Sequence, residues 1–294
     1  MHAVTQSLIK LLTVKSTHKD EQGCQHYQGD CEDLGFRNLF GGQILGQSLY
    51  SAIKTAPEGF LPHSLHAYFL LPGHVNAPVD YKVEELRLGR SFATYRVDAI
   101  QDGKIIFTQD CSFQRPEKGY EHQDPMPTPK GPDGIISHLE LSRMVQDVFP
   151  DHLRDKYTAE KPLEMRTVEP VNMFMPVEID PIKHVWIKPI DDWSDQDIAL
   201  QYALLAYNSD FNLLTTAMQP HGVSVASKGI QVASLDHAMW FHHKPRTDDW
   251  WLYKLTSPAA AGGRGLNFGH IYHKDGQLMV TTAQEGLMRM RSKS

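Results

Sequence analysis

Three polar side chains in the second half of this 294-residue chain interrupt patterns that are otherwise apolar. Ser234 shares a strand face with Ile230 and Val232, and Gln284 shares one with Leu278 and Val280. Asp210 follows Asn208-Ser209 at what reads as a helix start. A carboxylate accepts hydrogen bonds, an amide donates and accepts, and a hydroxyl does both, so together they are a set that can act on a polar substrate. Each also has a plain structural role open to it. Ser234 can make a cross-strand hydrogen bond, Gln284 can sit at an edge, and Asp210 can cap a helix. Periodicity alone does not bring the three together.

The common chemical signatures are missing. An α/β-hydrolase needs a GxSxG elbow, and Gly46-Gln47-Ser48 lacks the closing glycine and falls within a helical stretch. Sixteen histidines raise the question of a metal, but there is no HExxH, and His63/His66 and His242/His243 lie on predicted strands with no third ligand in sight. Gly41-Gly42-Gln43 opens a helix without the further glycines or the lysine of a phosphate loop, although its backbone N–H groups can approach a ligand or an oxyanion. No metal and no redox cofactor is expected. Three cysteines (Cys24, Cys31, Cys111) without CxxC spacing read as reduced thiols.

A net charge of −6 with no dense Lys/Arg run argues against a nucleic-acid partner. The apolar run Leu8–Leu12 is short and broken by Lys10, so neither a secretory leader nor membrane insertion is expected. Ser292-Lys293-Ser294 lacks the leucine of the Ser-Lys-Leu peroxisomal address, which makes the cytoplasm the expected compartment and the peroxisome the alternative.

The elements that must position these residues occur twice. Ser64-Leu65-His66-Ala67-Tyr68-Phe69 and Asp102-Gly103 in the first half match Ser234-Leu235-Asp236-His237-Ala238-Met239-Trp240 and Asp275-Gly276 in the second. The serines are 170 residues apart and the Asp-Gly pairs 173 apart, so one structural unit is used twice. Helices are predicted over 3–13 and from Gly41 to the Pro57/Gly59 stop, and strands near 22–30, 64–71, 79–87 and 92–113. From Arg115 to about Pro162 a proline-rich linker holds one predicted helix behind the Ser137/Glu140 capping box. The second copy is predicted as a strand near 183–188, a helix whose N-cap and first-turn acids are Ser194-Asp195-Gln196-Asp197, a further helical turn starting near Asp210, and strands near 230–242, 249–257, 264–273 and 277–290. Units at 1–115 and 165–294, joined by 116–164, are expected. Each is an antiparallel sheet packed on one helix, an α+β class.

Phe40-Gly41-Gly42-Gln43-Ile44-Leu45-Gly46-Gln47, Tyr207-Asn208-Ser209-Asp210, Gln219-Pro220-His221-Gly222, Gln231 to His242 and Gln284-Glu285-Gly286-Leu287-Met288-Arg289 resemble the type II acyl-CoA thioesterase (TesB-like) family over nearly the whole chain. The resemblance implies a double hotdog and an Asp, Thr/Ser and Gln trio that falls on Asp210, Ser234 and Gln284, with Ser where some members have Thr. It implies hydrolysis of acyl-CoA by a positioned water, acyl-CoA as the partner, and a homodimer or homotetramer. A hotdog enoyl-CoA hydratase or dehydratase and a non-catalytic acyl-CoA-binding protein are the alternatives. Arg264, Arg289 and Arg291 are candidate contacts for CoA phosphates. By the offsets, Gln284 corresponds to Cys111 and Ser234 to Ser64, so the first copy is expected to keep a hydroxyl and lose the amide. Burial should raise the Asp210 pKa, while a helix start at that residue should lower it.

Overall fold

The computed structural model describes residues 1–36 and 38–290. The first unit runs α1 (Ala3–Leu12), β1 (Lys15–Lys19), β2 (Gln25–Gly29), α2 (Gly41–Thr55), β3 (Leu61–Phe69), β4 (Val79–Leu88), β5 (Phe92–Gln101) and β6 (Lys104–Gln114). The linker carries α3 (His138–Met144) and α4 (Asp151–Thr158). Then come β7 (Leu163–Thr167), β8 (Ile182–Pro189), α5 (Ile198–Ser209), α6 (Leu213–Thr216), β9 (Ile230–Ser234), β10 (Asp236–Phe241), β11 (Trp251–Ala261), β12 (Arg264–His273) and β13 (Leu278–Met290). Among the described residues all strand pairings are antiparallel, in the order β1-β2-β4-β5-β6-β3-β10-β13-β12-β11-β8-β7, with β9 also on β13. Each half wraps its strands around one helix, α2 or α5, and the halves join edge to edge through β3 and β10. This is the α+β double hotdog.

Both Asp-Gly pairs turn hairpins as expected. Asp102 and Gly103 have φ of 51° and 72°, the left-handed pair that a tight hairpin turn needs. The Ser137/Glu140 capping box is formed at α3, while α5 starts later than the expected Ser194 cap: Asp197, expected in the first turn, is itself the cap and accepts from the Ala199 N–H at 2.9 Å. Three further expectations fail. The linker holds α4 as well as α3, and α4 buries no residue, so it leaves no apolar stripe for periodicity to detect. The strand near 230–242 is broken at Leu235 into β9 and β10. Leu235 N–H donates to Glu285 O there at 3.0 Å, while Glu285 N–H donates to the Asp236 carboxylate at 2.6 Å. Finally, Asp210 does not start a helix. It is the residue on which α5 ends.

The two helices cross antiparallel at very short range. A Cβ on Gly42 would lie 2.3 Å from the Tyr207 carbonyl oxygen, and one on Gly46 2.9 Å from that of Ala203. Only glycine lets the backbones approach so closely. Ala199–Ser209 of α5 are buried on every face, which is why its apolar pattern shows no stripe and no visible end.

Sheet register corrects the correspondence between the copies. Phe69 pairs with Phe107 in the first half and Phe241 with Val280 in the second, which sets Cys111 opposite Gln284 in the comparison, four residues on in each case. Two residues further, Phe113 pairs with Pro62 and Gly286 with Ser234. Ser234 therefore corresponds to Pro62, not to Ser64. Matching the Ser-Leu dipeptides misaligns the strands because both copies carry a register irregularity near this point.

Candidate active site

α5 delivers Asp210 to the end of α2. Phe40, at the N-cap position of α2, has no side-chain cap, and the open N–H of Gly42 is taken instead by Asp210 Oδ2 at 3.0 Å. The cap comes from the other half of the chain. Oδ1 of the same carboxylate accepts from Gln284 Nε2 at 3.0 Å and from Ser234 Oγ at 3.5 Å, the long limit for such a bond. The structure thus brings together all three residues that the sequence picked out. Gln284 is buried on the inner face of β13, while Asp210 and Ser234 are partly covered. The break at Leu235 ends β9 at Ser234 and restarts the strand as β10.

Burial pushes the Asp210 pKa above its ordinary value, and the hydrogen bonds from Gln284, Gly42 and Ser234 pull it back in part. A helix start does face the carboxylate, but it is that of α2 and not one beginning at Asp210. Next to the carboxylate, a Cβ on Gly41 would lie 2.7 Å from Asp210 Oδ2 and 2.9 Å from the Phe69 ring. Phe40 packs on Phe211 and Tyr207 with ring centroids 4.3 and 5.3 Å apart, giving this end of the helices an apolar surround.

The Gly42 N–H is therefore spent on Asp210, where the sequence left it open to a ligand or oxyanion. Gly42 was legible as a helix start, but not its partner 168 residues away. His237 and Ser209, packed behind Gln284 and Asp210, carried no signal beyond the repeated His-Ala. His63 is held by Ser112 at 2.8 Å, His242 by Thr281 at 2.8 Å, and His184 by Glu169 at 2.9 Å. Among the described residues no three His, Cys, Asp or Glu are grouped to hold a metal. Arg264 is paired with Glu285 at 2.9 Å and Arg289 donates to Gln231 at 3.1 Å. Arg291 and Ser292-Lys293-Ser294 lie outside the described residues.

The double hotdog fold, with this polar cluster where its two halves meet, places the chain among hotdog proteins, and comparison with known proteins gives the class. A family model described as acyl-CoA thioesterase matches residues 152–287, and one described as acyl-CoA thioesterase N-terminal domain matches residues 32–114. The chain is 42% identical over 263 residues to acyl-CoA thioesterase 2 of Haemophilus influenzae, covering 90% of this chain and 92% of that one. A crystal structure of acyl-CoA thioesterase II TesB2 from Mycobacterium marinum superposes with a TM-score of 0.76 at 34% identity, covering 98% and 99% of the two chains. A hot dog fold protein from Alicyclobacillus acidocaldarius, 18% identical, shares the fold with a TM-score of 0.76 over 97% and 99%. The chain belongs to the type II acyl-CoA thioesterase family and is a thioester hydrolase.

Proposed function

We propose that Asp210, Ser234 and Gln284 hold and activate the water that hydrolyses an acyl-CoA thioester. The observation that carries this reading is the convergence of Gln284 Nε2 and Ser234 Oγ on one oxygen of a carboxylate whose other oxygen is fixed by Gly42. Ser234 makes the longest of the three contacts, so a water enters most easily between it and the carboxylate. The water oxygen bonds to the thioester carbonyl carbon as its proton passes to Asp210. Collapse then breaks the C–S bond, and the proton returns to the departing CoA sulfur. Burial makes Asp210 a stronger base than an exposed aspartate, and base catalysis of this kind is worth about 10²–10⁴-fold.

Arg264 and Arg289 line a surface groove of about 290 Å³ with His221 and Met288, close to the β9–β13 pair that carries Ser234. CoA phosphates are assigned there, supported by the two guanidinium groups. The domain reading is 1–115 and 165–294 joined by 116–164, supported by the sheet order and by the two matched segments. A homodimer or homotetramer rests on the family resemblance, and light scattering tests it. No described helix is long and apolar enough to cross a membrane. The cytoplasmic assignment is supported by three free thiols, Cys24, Cys31 and Cys111.

The test is release of free thiol from acyl-CoAs of increasing chain length by wild type and Asp210→Asn. Thiol release lost in the folded variant supports the reading, and release kept at the wild-type rate removes it.

A further inference from the structure

The Gln284 amide has two ends, and only one is accounted for by Asp210. Its nitrogen donates to the carboxylate, which leaves Oε1 buried with no partner in the hydrogen-bond network. An orphaned buried acceptor costs on the order of 1–3 kcal/mol, so what stands beside it matters. On one side, β12 places Asn267 directly across from Gln284. The Asn267 amide nitrogen is directed at the backbone oxygens of Gly265 and Gln284, at 3.3 and 3.5 Å, and its own oxygen is a second orphaned acceptor. Two acceptors cannot satisfy each other.

On the other side β10 pairs with β13, Ala238 against Ala283, and this register brings the fully buried His237 beside Gln284 on the same inner face. Its Nε2 is 2.9 Å from Ser209 Oγ, and its Nδ1 is buried without a partner. Gln284 is the neighbour that favours a proton on this ring, as an amide does through its oxygen. Burial nonetheless pushes the His237 pKa down to about 3, so the ring carries one proton and no charge. Asp236 and Glu285 alternate onto the opposite face of their strands. The titratable groups on the His237 side are Asp210 beyond Gln284 and Tyr253, whose hydroxyl donates to Ser209 O at 2.7 Å.

We infer that His237 is a positioning residue: its neutral ring, protonated at Nδ1, holds the Gln284 amide oxygen and so keeps the amide nitrogen on Asp210. The alternative tautomer fails on acceptor count. With the proton on Nε2, Ser209 Oγ would accept a hydrogen bond from the ring and donate one to Ala206 O, 2.8 Å away, leaving the Nδ1 lone pair facing Oε1. With the proton on Nδ1, Ser209 donates to Nε2 and both orphans are satisfied. The order runs Ser209 to His237 to Gln284 to Asp210, each donor pointing toward the carboxylate. This rests on the reading of Asp210 and Gln284 given above.

The experiment combines ¹⁵N NMR of the wild-type histidines with kinetics of His237→Phe and His237→Asn. A neutral Nδ1–H tautomer is expected for His237, and an Nε2–H tautomer overturns the inference without touching the assignment of Asp210. His237→Phe should lower kcat about 10-fold with KM nearly unchanged, as loss of a supporting hydrogen bond does. Its acid limb should move to higher pH, as in Gln284→Ala, because one bond favouring the Asp210 carboxylate is weakened. His237→Asn, whose side-chain N–H can replace Nδ1–H, should recover much of kcat. A folded His237→Phe with wild-type kcat and acid limb, or an Asn variant no better than Phe, overturns it. If Phe prevents folding, the wild-type tautomer and the Asn variant still decide. Asp210→Asn with normal activity would instead remove the underlying reading.

Discussion

The two halves of the molecule share a fold but not their chemistry. Where the second half places Ser234 and Gln284, register puts Pro62 and Cys111 in the first. Proline offers neither hydroxyl nor N–H, and burial pushes the Cys111 thiol up to about 12, so it stays neutral. The first half nonetheless contributes to the proposed site. Its helix α2 gives Asp210 the Gly42 N–H, and Gly41 keeps the space beside the carboxylate clear. The first copy contributes a backbone N–H and the apolar rings of Phe40 and Phe69 rather than polar side chains.

The largest expected effect falls on the residue that joins the halves. Asp210→Asn should lower kcat by about 10²-fold or more with KM little changed, measured by thiol release in a variant with native circular dichroism. Next is the backbone contribution. Gly42→Ala drives a methyl group into the Tyr207 carbonyl and the Phe40 ring, and should cost roughly 1–3 kcal/mol of stability in chemical denaturation. Gly41→Ala displaces the carboxylate itself, so kcat should fall further than stability does. If both glycine variants behave as wild type, the first half is not part of the site.

Gln284→Ala and Ser234→Ala should each cost less than Asp210→Asn, and their combinations with it should be strongly non-additive in kcat. The pH profile sharpens the assignment. On the proposed mechanism Asp210 works as the carboxylate, so activity should rise as pH passes upward through its pKa, with burial setting that limb above the usual aspartate range. Removing the Gln284 hydrogen bond, which lowers this pKa, should move the limb higher still. Cys111→Gln should give no second site, since Pro62 supplies no hydroxyl, and should destabilise the fold by overpacking a closed core. Activity that survives Asp210→Asn once Cys111→Gln is added would break the asymmetry. Ser234→Thr should have the smallest effect, with kcat within a few-fold of wild type.

Much of this was legible in the sequence. The Asp-Gly turns, the Ser137/Glu140 capping box and the alternating strands follow from local rules that depend on a few neighbouring residues. The trio was visible as polarity in apolar surroundings, and the family resemblance grouped it. Three things were hidden for physical reasons. The end of α5 was unreadable because a helix buried on every face has no polar side to fade. The match of Ser234 to Pro62 depends on a register shift that residue counting does not detect. The bond from Gly42 to Asp210 spans 168 residues, and no window of sequence contains both partners.

That long span has a consequence for how the enzyme comes to life after synthesis. Contacts between residues far apart in the chain form late, because a long loop must close before they contribute anything. Apart from the β3–β10 seam every strand pairs within its own half, so strand pairing does not wait for Asp210 to reach Gly42. During refolding from denaturant, recovery of far-ultraviolet dichroism should therefore run ahead of recovery of thiol release. On the proposed reading, catalytic activity becomes a clock for the docking of α2 against α5, and a chain stalled before that step should carry native secondary structure without thiol release.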